Sequence, residues 1–247
     1  MSKAVKNRGS EIIQQRKILS LALEIEGTAP AIQNCFNQKV IEEMLRKHMG
    51  LPVQREKKVP ADCIERAIVR NTQEAICFPP TAFKKAMLTA AMQVKGLKKT
   101  TLRSSLFVEG GSIPITYSRM VPRMDMVRTS GQGHTPDVRF RPSFEDWKAR
   151  LILLFSDMLP PETVTDLLNR AGNVGVGEWR PEKDGNFGTF AVVRAIDDPK
   201  EIAEVRRICR PQVKQLVIPE WAMNAEISDD LLKKIAGGDE EATEDNE

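Results

Sequence analysis

Between Lys17 and Glu26 the apolar residues fall on every second position: Leu19, Leu21, Leu23 and Ile25. A period of two places all four on one face of a strand, so this segment belongs to a sheet with one face covered. Gly27 ends the strand and Thr28-Ala-Pro30 leads away from it. A second strand, strongly apolar, runs from Trp147 to Ser156. Pro160-Pro161 then opens a helix with Val164, Leu167, Leu168 and Ala171 inward and Gly172 as its stop. A glycine-dense turn follows, then a strand from Phe187 to Arg194. The chain therefore begins strand, helix, strand and continues from residue 148 as strand, helix, turn, strand. That order predicts an α+β, ferredoxin-like (RRM-like) split β-α-β fold. Its antiparallel sheet has helices on one face, a long basic insertion and a C-terminal helical extension.

The remaining elements are less regular. A helix is expected from Asn37 to Met49, with Val40, Ile41, Met44, Leu45 and Met49 as its stripe and Gly50 at its end. Residues 51–62 read as a charged loop. A short strand near Ala75–Phe78 is broken by Pro79-Pro80, and Thr81 caps a helix to Val94. Strands near Leu102–Val108 and Ile113–Tyr117 flank Glu109-Gly-Gly-Ser112, a spacing that suits a hairpin. Residues 118–142 show little periodicity and read as a flexible basic excursion. Asp198-Pro199, with Glu201 three residues on, starts a helix in capping-box style. One more strand and a short helix are expected within 211–238. The expected organisation is a basic flexible arm (1–16) and a core domain (17–198) carrying the insertion. An extension packed on the core (199–238) and a disordered acidic tail (239–247) complete it.

Composition excludes several classes. The chain has 247 residues and is 41% hydrophobic, enough to bury a core. No apolar run reaches the ~18 residues of a membrane span. No hydrophobic core follows the basic N-terminus, so a cytoplasmic location is expected. The cysteines, at 35, 63, 77 and 209, form no C-x-x-C pair, which argues against a disulfide framework or a zinc site. The histidines are His48 and His134. His48 lies on or beside the first helix's apolar stripe and reads as structural, and His134 lies among glycines. Glu145 and Asp146 are adjacent and would point apart on a strand. No catalytic constellation results. The expectation is a chain that is not an enzyme, with no catalytic residue, no metal and no cofactor.

Charge points to a polyanionic partner. The net charge is +3, yet residues 239–247 hold six acids and no base. Residues 1–238 carry 37 bases against 28 acids, and residues 84–150 carry 13 against 5. Three groups are candidates for binding nucleic acid. Lys84 and Lys85 sit where the Pro79-Pro80-Thr81 helix starts, a place that attracts phosphate. Lys95, Lys98, Lys99 and Arg103 continue that run. Arg119, Arg123, Arg128, Arg139 and Arg141 are spread along the excursion, interleaved with Tyr117, Met120, Met124 and Met126. A basic segment with apolar wedges can grip a single strand and separate its bases. Trp179, Arg180 and Lys183 stand in the glycine-rich turn Gly172–Gly188, which matches neither a P-loop nor a dinucleotide fingerprint. The plainer alternatives are a solvated helix face, a soluble loop and a helix cap followed by a hairpin.

Three segments, in order, carry a resemblance. Leu23-Glu-Ile-Glu-Gly-Thr-Ala-Pro30 resembles the first strand and G-x-x-P turn of the RAMP superfamily, the ferredoxin-like RNA-binding proteins of CRISPR effector complexes. Phe78-Pro-Pro-Thr-Ala-Phe-Lys-Lys-Ala-Met87 is similar to that superfamily's I-P-G-S-S-L-K-G-A-L segment. Gly175-Val-Gly-Glu-Trp-Arg-Pro-Glu-Lys-Asp-Gly-Asn-Phe-Gly188 resembles its C-terminal glycine-rich loop. The likeness covers residues 20–195 and is greatest to the backbone subunits. Pro80 and Lys85 stand where glycines are usual, and the acidic tail is foreign to most members. The resemblance implies a non-catalytic protein that coats single-stranded RNA or DNA and polymerises head to tail, in a CRISPR complex or a phage or mobile-element relative. Three alternatives stay open. One is a phage-type single-stranded DNA-binding or annealing protein whose acidic tail docks a protein partner. Another is an RNA-processing endonuclease using a histidine. The third is a structural protein without a nucleic-acid role. A membrane partner is not expected.

Overall fold

The computed structural model describes residues 17–36, 38–53, 57–94, 96–128 and 136–223. Nine strands and seven helices occur among them in the following order. The chain runs β1 (Ile18–Gly27), β2 (Ala31–Ile32), α1 (Gln38–His48), α2 (Pro60–Ala67), β3 (Cys77–Phe78) and α3 (Pro80–Ala90). Then come α4 (Lys99–Ser105), β4 (Leu106–Val108), β5 (Ile113–Thr116), β6 (Arg119–Arg128) and β7 (Pro136–Glu145). Last are β8 (Lys148–Ser156), α5 (Pro161–Val174), β9 (Phe190–Ala195), α6 (Pro199–Cys209) and α7 (Glu220–Met223). Among the described residues, those of 17–35 and 57–215 form one compact unit, and those of 36–53 and 216–223 form another.

In the larger unit β1 pairs antiparallel with β8 along its length, Leu19 opposite Phe155, Leu21 opposite Leu153, Leu23 opposite Leu151 and Ile25 opposite Ala149. These rows share one face, which is covered by α3 and α5. Leu23, Leu151 and Leu153 are at most 1% exposed. Each contributes about 1.5–3 kcal/mol of burial. β9 pairs with the outer edge of β1, while β4 and β5 both pair with β8, all antiparallel. The order β9-β1-β8-β4/β5 joins two interlocked β-α-β units, β1–α3–β4/β5 and β8–α5–β9. This is the ferredoxin-like arrangement expected from the element order. The C-terminal extension α6 covers the other face: Val205 and Cys209 are buried, and Cys209 Sγ lies 3.6 Å from the Arg150 carbonyl. Asp198 caps α6 by accepting from Lys200 N–H, but Glu201 turns away to Arg194 and Arg150. A second sheet, β2-β7-β6, stands beside the first.

Several expectations are corrected. Leu102 does not lie in a strand. Residues 99–105 are α4, with Leu102, Ser105 and Leu106 buried at helical spacing and Ser105 Oγ bonded to the Thr101 carbonyl. β4 and β5 form no hairpin. They lie one after the other on β8, and the loop between them is pinned instead to α6, where Gly111 and Ser112 N–H both donate to the Cys209 carbonyl. The excursion 118–142 is not an irregular loop but the antiparallel ribbon β6–β7, its described strands paired from Arg119–Glu145 to Arg128–Pro136. The region read as a loop to residue 62 already contains the start of α2 at Pro60. α3 ends at Ala90 in a short 3-10 turn, and α5 continues past Gly172 to Val174, where Gly175 (φ +79°) stops it. Gly172 serves another purpose. A Cβ there would be built onto the Phe190 carbonyl, so the glycine lets α5 lie against β9.

In the smaller unit the Gln38 side chain bonds both backbone groups of Val217, at 2.7 and 3.0 Å, and Arg46 lies 4.7 Å over the Trp221 ring. No residue of α1 is fully buried. His48, expected in a packed setting, is exposed in the basic last turn. The expected cap Asn37, the arm 1–16, His134 and the acidic tail lie outside the described residues.

Gly27 gives a test of the sheet. A Cβ on it would occupy the space of the buried Trp147 indole. Gly27→Ala is expected to cost about 1–3 kcal/mol through overpacking. In a chain of this size that lowers the melting temperature by about 2–12 °C, read by thermal circular dichroism.

Candidate nucleic-acid interface

β3 stops at Pro79. Neither Pro79 nor Pro80 has an N–H to donate, and α3 begins with Pro80 in its first turn, where the missing donor is tolerated. No side chain caps this helix start. The loop 175–188 folds back toward it. Gly188 N–H donates to the Pro30 carbonyl (2.8 Å), Val176 N–H to the Gly188 carbonyl (2.9 Å) and Glu178 N–H to the Ile32 carbonyl (2.9 Å). Gly177 has φ +81°, and a Cβ there would collide with the Ile32 carbonyl. The loop thus needs glycine for close approach to β2.

Between this loop and α3 lies a groove of about 240 Å³ lined by Gln33, Thr81, Lys85, Gly177 and Arg180, among others. Gln33 is 2% exposed and fixes the groove's wall: its amide donates to the Cys77 carbonyl (3.0 Å) and accepts from Val69 N–H (2.8 Å). Arg180 binds the Gly177 carbonyl (2.8 Å) and clasps Glu182 with two nitrogens at 2.9 and 2.7 Å. Burial pushes the Glu182 carboxyl up, but hydrogen bonds from Arg180 and from Thr89 (2.8 Å) hold it below the ordinary value. Arg180 therefore ties the loop to α3 through Glu182. Lys85 is exposed and makes no ion pair with the described residues.

The ribbon has an unusual polarity. On one face β6 and β7 pair Pro122 with Pro142, Met124 with Phe140 and Met126 with Val138. Met124 and Met126 are 71% and 77% exposed. The other face is charged and partly interior. It pairs Arg119 with Glu145, Arg123 with Arg141 and Asp125 with Arg139. Arg119 binds Glu145 at 2.8 and 2.9 Å. Arg123 binds Asp125 at 3.0 Å, and Arg141 Nη1 lies 3.9 Å from Asp125 Oδ2. Arg139 approaches Asp137, which also binds Lys58. The 175–188 loop closes over this face, with Phe187 stacked on Arg123 (4.7 Å) and Trp179 near Arg141 (5.7 Å). Arg141 is 1% exposed and burial lowers its pKa. Its Nε and Nη1, Arg123 Nε and Asp125 Oδ2 have no hydrogen-bond partner among the described residues.

The predicted residues thus fall into two sets. Arg119, Arg123, Arg139, Arg141 and Arg180 are held by carboxylates, and Trp179 stands near Arg141 where the loop meets the ribbon. Arg128 pairs with Pro136 at the end of the described ladder. Lys84, Lys85, Lys98, Lys99, Arg103 and Lys183 have no ion-pair partner among the described residues. Lys84 donates to the Arg103 carbonyl (3.0 Å), and burial lowers its pKa. Lys95 lies outside the described residues. Sequence reasoning missed Gln33, which lines the groove from a buried position, and Phe107 and Lys214, which come to the surface around α3 only through tertiary pairing. The Pro79-Pro80 stop of β3 was the one available signal. None of the cysteines forms a disulfide among the described residues, and burial pushes the Cys77 and Cys209 thiols up to about 12. No group of three His, Cys, Asp or Glu able to hold a metal occurs among the described residues. No described helix is long and apolar enough to cross a membrane.

No protein-family model matches the chain, and no curated protein matches it. Among solved structures it is similar to a chain of the Type III-B Cmr-beta complex bound to cognate target RNA, with TM-score 0.44 and 9% identity. That match covers 73% of this chain and 60% of the other. It is also similar to Cmr6 from Pyrococcus furiosus, with TM-score 0.38 and 10% identity, over 72% of this chain and 100% of that one.

The ribbon's charged face yields a ranked test. Asp125→Asn removes the acid that both Arg123 and Arg141 face and leaves Glu178 as the carboxylate still acting on Arg141, whereas Arg141→Met leaves the Arg123–Asp125 pair intact. The first change is expected to cost up to about 3–5 kcal/mol, the penalty of breaking a buried ion pair. The second is expected to cost clearly less. Thermal melting of both variants checks the order.

Proposed function

We propose that this chain is a non-catalytic protein that binds single-stranded nucleic acid along the start of α3. The observation that carries the reading is the unpaired lysine set. Lys85 faces a groove walled by glycine backbone and α3's uncapped first turn, and Lys98, Lys99 and Arg103 continue the charge along α4. Such a surface contacts phosphates without reading bases. The ribbon adds the apolar element: Met124 and Met126 stand exposed beside Val138 and serve as wedges between bases. The buried arginines take a different part in this reading. Arg141 and Arg123 position the glycine-rich loop, and Trp179 and Phe187 clamp it to the ribbon. Head-to-tail coating of RNA follows from the motif resemblance. The absence of sequence preference follows from a contact surface made of phosphate-binding groups.

Electrophoretic shifts with unrelated RNA and DNA oligonucleotides at two salt concentrations test the proposal. Binding is expected to weaken with salt by about 0.7 log units per log unit for each phosphate contacted on a single strand. Lys85→Glu and Lys98→Glu are expected to weaken binding and flatten that slope, and Arg119→Glu to change it little because Glu145 already holds Arg119. No shift at low salt overturns the reading, and tighter binding of DNA assigns the partner as DNA. Cleavage of the labelled strands that disappears in a His134→Ala variant overturns the non-catalytic part. Size measurement with and without nuclease reads the coating.

A further inference from the structure

A second groove lies on the other side of the same helix start. β3 covers the outer edge of β5, with Cys77 opposite Pro114 and Phe78 opposite Ile113, and ends at Pro79. β4, further along β8, receives no strand on its outer edge from the described residues. The segment 212–215 passes nearby without pairing to β4. It is held by Thr72 N–H to the Gln212 carbonyl (2.9 Å), Val213 N–H to the Gly111 carbonyl (3.3 Å) and Lys214 N–H to the Arg70 carbonyl (2.9 Å). The space left open is about 510 Å³, within the roughly 300–1,000 Å³ of ligand pockets.

The lining chemistry is selective. Lys84, Phe107, Gln212 and Lys214 face this groove together with Thr81, and no carboxylate lines it. Phe107 is 43% exposed, an unusual setting for an aromatic ring on a short edge strand. Lys84 Nζ sits 4.2 Å from the centre of that ring, and part of the Phe107 side chain remains exposed. The Lys84 ammonium donates to one carbonyl and meets no carboxylate, so its charge and two of its three N–H groups remain for an anion. Lys214 is ion-paired with Glu74 and is partly neutralised. Pro79 and Thr81 line both this groove and the one that holds Lys85, so the two adjoin at the first turn of α3.

We propose that this groove is a nucleotide subsite. It takes one nucleotide of a single strand, with its base stacked on Phe107 and its phosphate at Lys84 and the open first turn of α3, whose positive end adds to the lysine. Gln212 supplies an amide for the base edge or sugar. The subsite rests on the single-strand reading and extends it: one strand crosses the start of α3 with its phosphates at Lys85 on one side and Lys84 on the other. A nucleotide suits the lining better than an acidic peptide because the exposed group is an aromatic face, which every base can stack on.

The test uses the full-length protein with a fluorescent single-stranded oligonucleotide and the variants Phe107→Ala and Phe107→Trp. Loss of one base stack is expected to weaken Phe107→Ala by roughly fivefold to a hundredfold. Phe107→Trp is expected to keep the affinity and to show, on binding, a quenching of indole emission that the unsubstituted protein lacks. A 4-thiouridine oligonucleotide is expected to crosslink within residues 106–108. Unchanged affinity in a folded Phe107→Ala variant, or crosslinks confined to the ribbon, overturns the subsite and leaves the single-strand reading standing. No binding of any oligonucleotide by the unsubstituted protein brings down that reading itself. Quenching in the Phe107→Trp variant by a synthetic peptide of residues 239–247, and not by the oligonucleotide, assigns the groove to an acidic peptide and overturns the proposal.

Discussion

Phe78, Phe83, Trp147 and Phe190 meet where β1 ends, with neighbouring ring centres 5.9–6.2 Å apart. They come from β3, α3, the entry to β8 and β9, so one cluster binds the sheet's ends to the helix that carries the lysines. Trp147 is its pivot. Its indole N–H bonds the Ala29 carbonyl (2.9 Å), its carbonyl accepts from Gly27 N–H (2.7 Å), and Gly27 leaves room for its ring. Edge-to-face packing of such rings contributes about 0.5–1.5 kcal/mol per pair beyond area burial. The first turn of α3 is thereby held against a rigid base, so under the proposed function the surface there would lose little order on binding.

The ribbon shows how charge can mislead. Five arginines in one segment read as a surface for a polyanion, yet four of them are matched to Asp125, Asp137 and Glu145. A buried guanidinium costs several kcal/mol to desolvate, and for Arg141 the charges of Glu178 and Asp125 and the Trp179 face share the compensation. Arg141 and Asp125 turn inward while Met124 and Met126 face out. Net charge counted along a sequence does not distinguish a lysine open to solvent from an arginine locked to its acid. The lysines of α3 and α4 carry the accessible positive charge.

What could be read from the sequence followed from periodicity. β1, β8, α3 and α5 each bury one face with a clear repeat, and their order led to the ferredoxin-like sheet. α4 escaped because seven residues with two β-branched threonines and no capping side chain carry little helical signal. The ribbon escaped because its apolar residues are buried only at its base, where Met120 pairs with Phe144, while further out Met124 and Met126 face solvent, so no regular inward alternation runs along it. The pairing of β4 and β5 on one strand, instead of on each other, is a long-range choice set by the carbonyl of Cys209, far along the chain. The lysines and the glycine-rich loop were visible as motifs. Their separation into two grooves was not, since it depends on where β3 stops.

That stop also explains the pair Lys84-Lys85. Successive residues of an α-helix point about 100° apart, so neighbouring side chains diverge around the axis. At the first turn of α3, with a groove on either side, the divergence sends Lys84 toward Phe107 and Lys85 toward Gly177. Where the resembling motif has a glycine, this chain has Lys85, and a position that elsewhere offers bare backbone here offers a mobile ammonium. Replacing a fixed N–H surface by a long flexible cation trades precision of contact for reach. Such a change suits a strand held by its phosphates at several points more than a ligand held in one geometry.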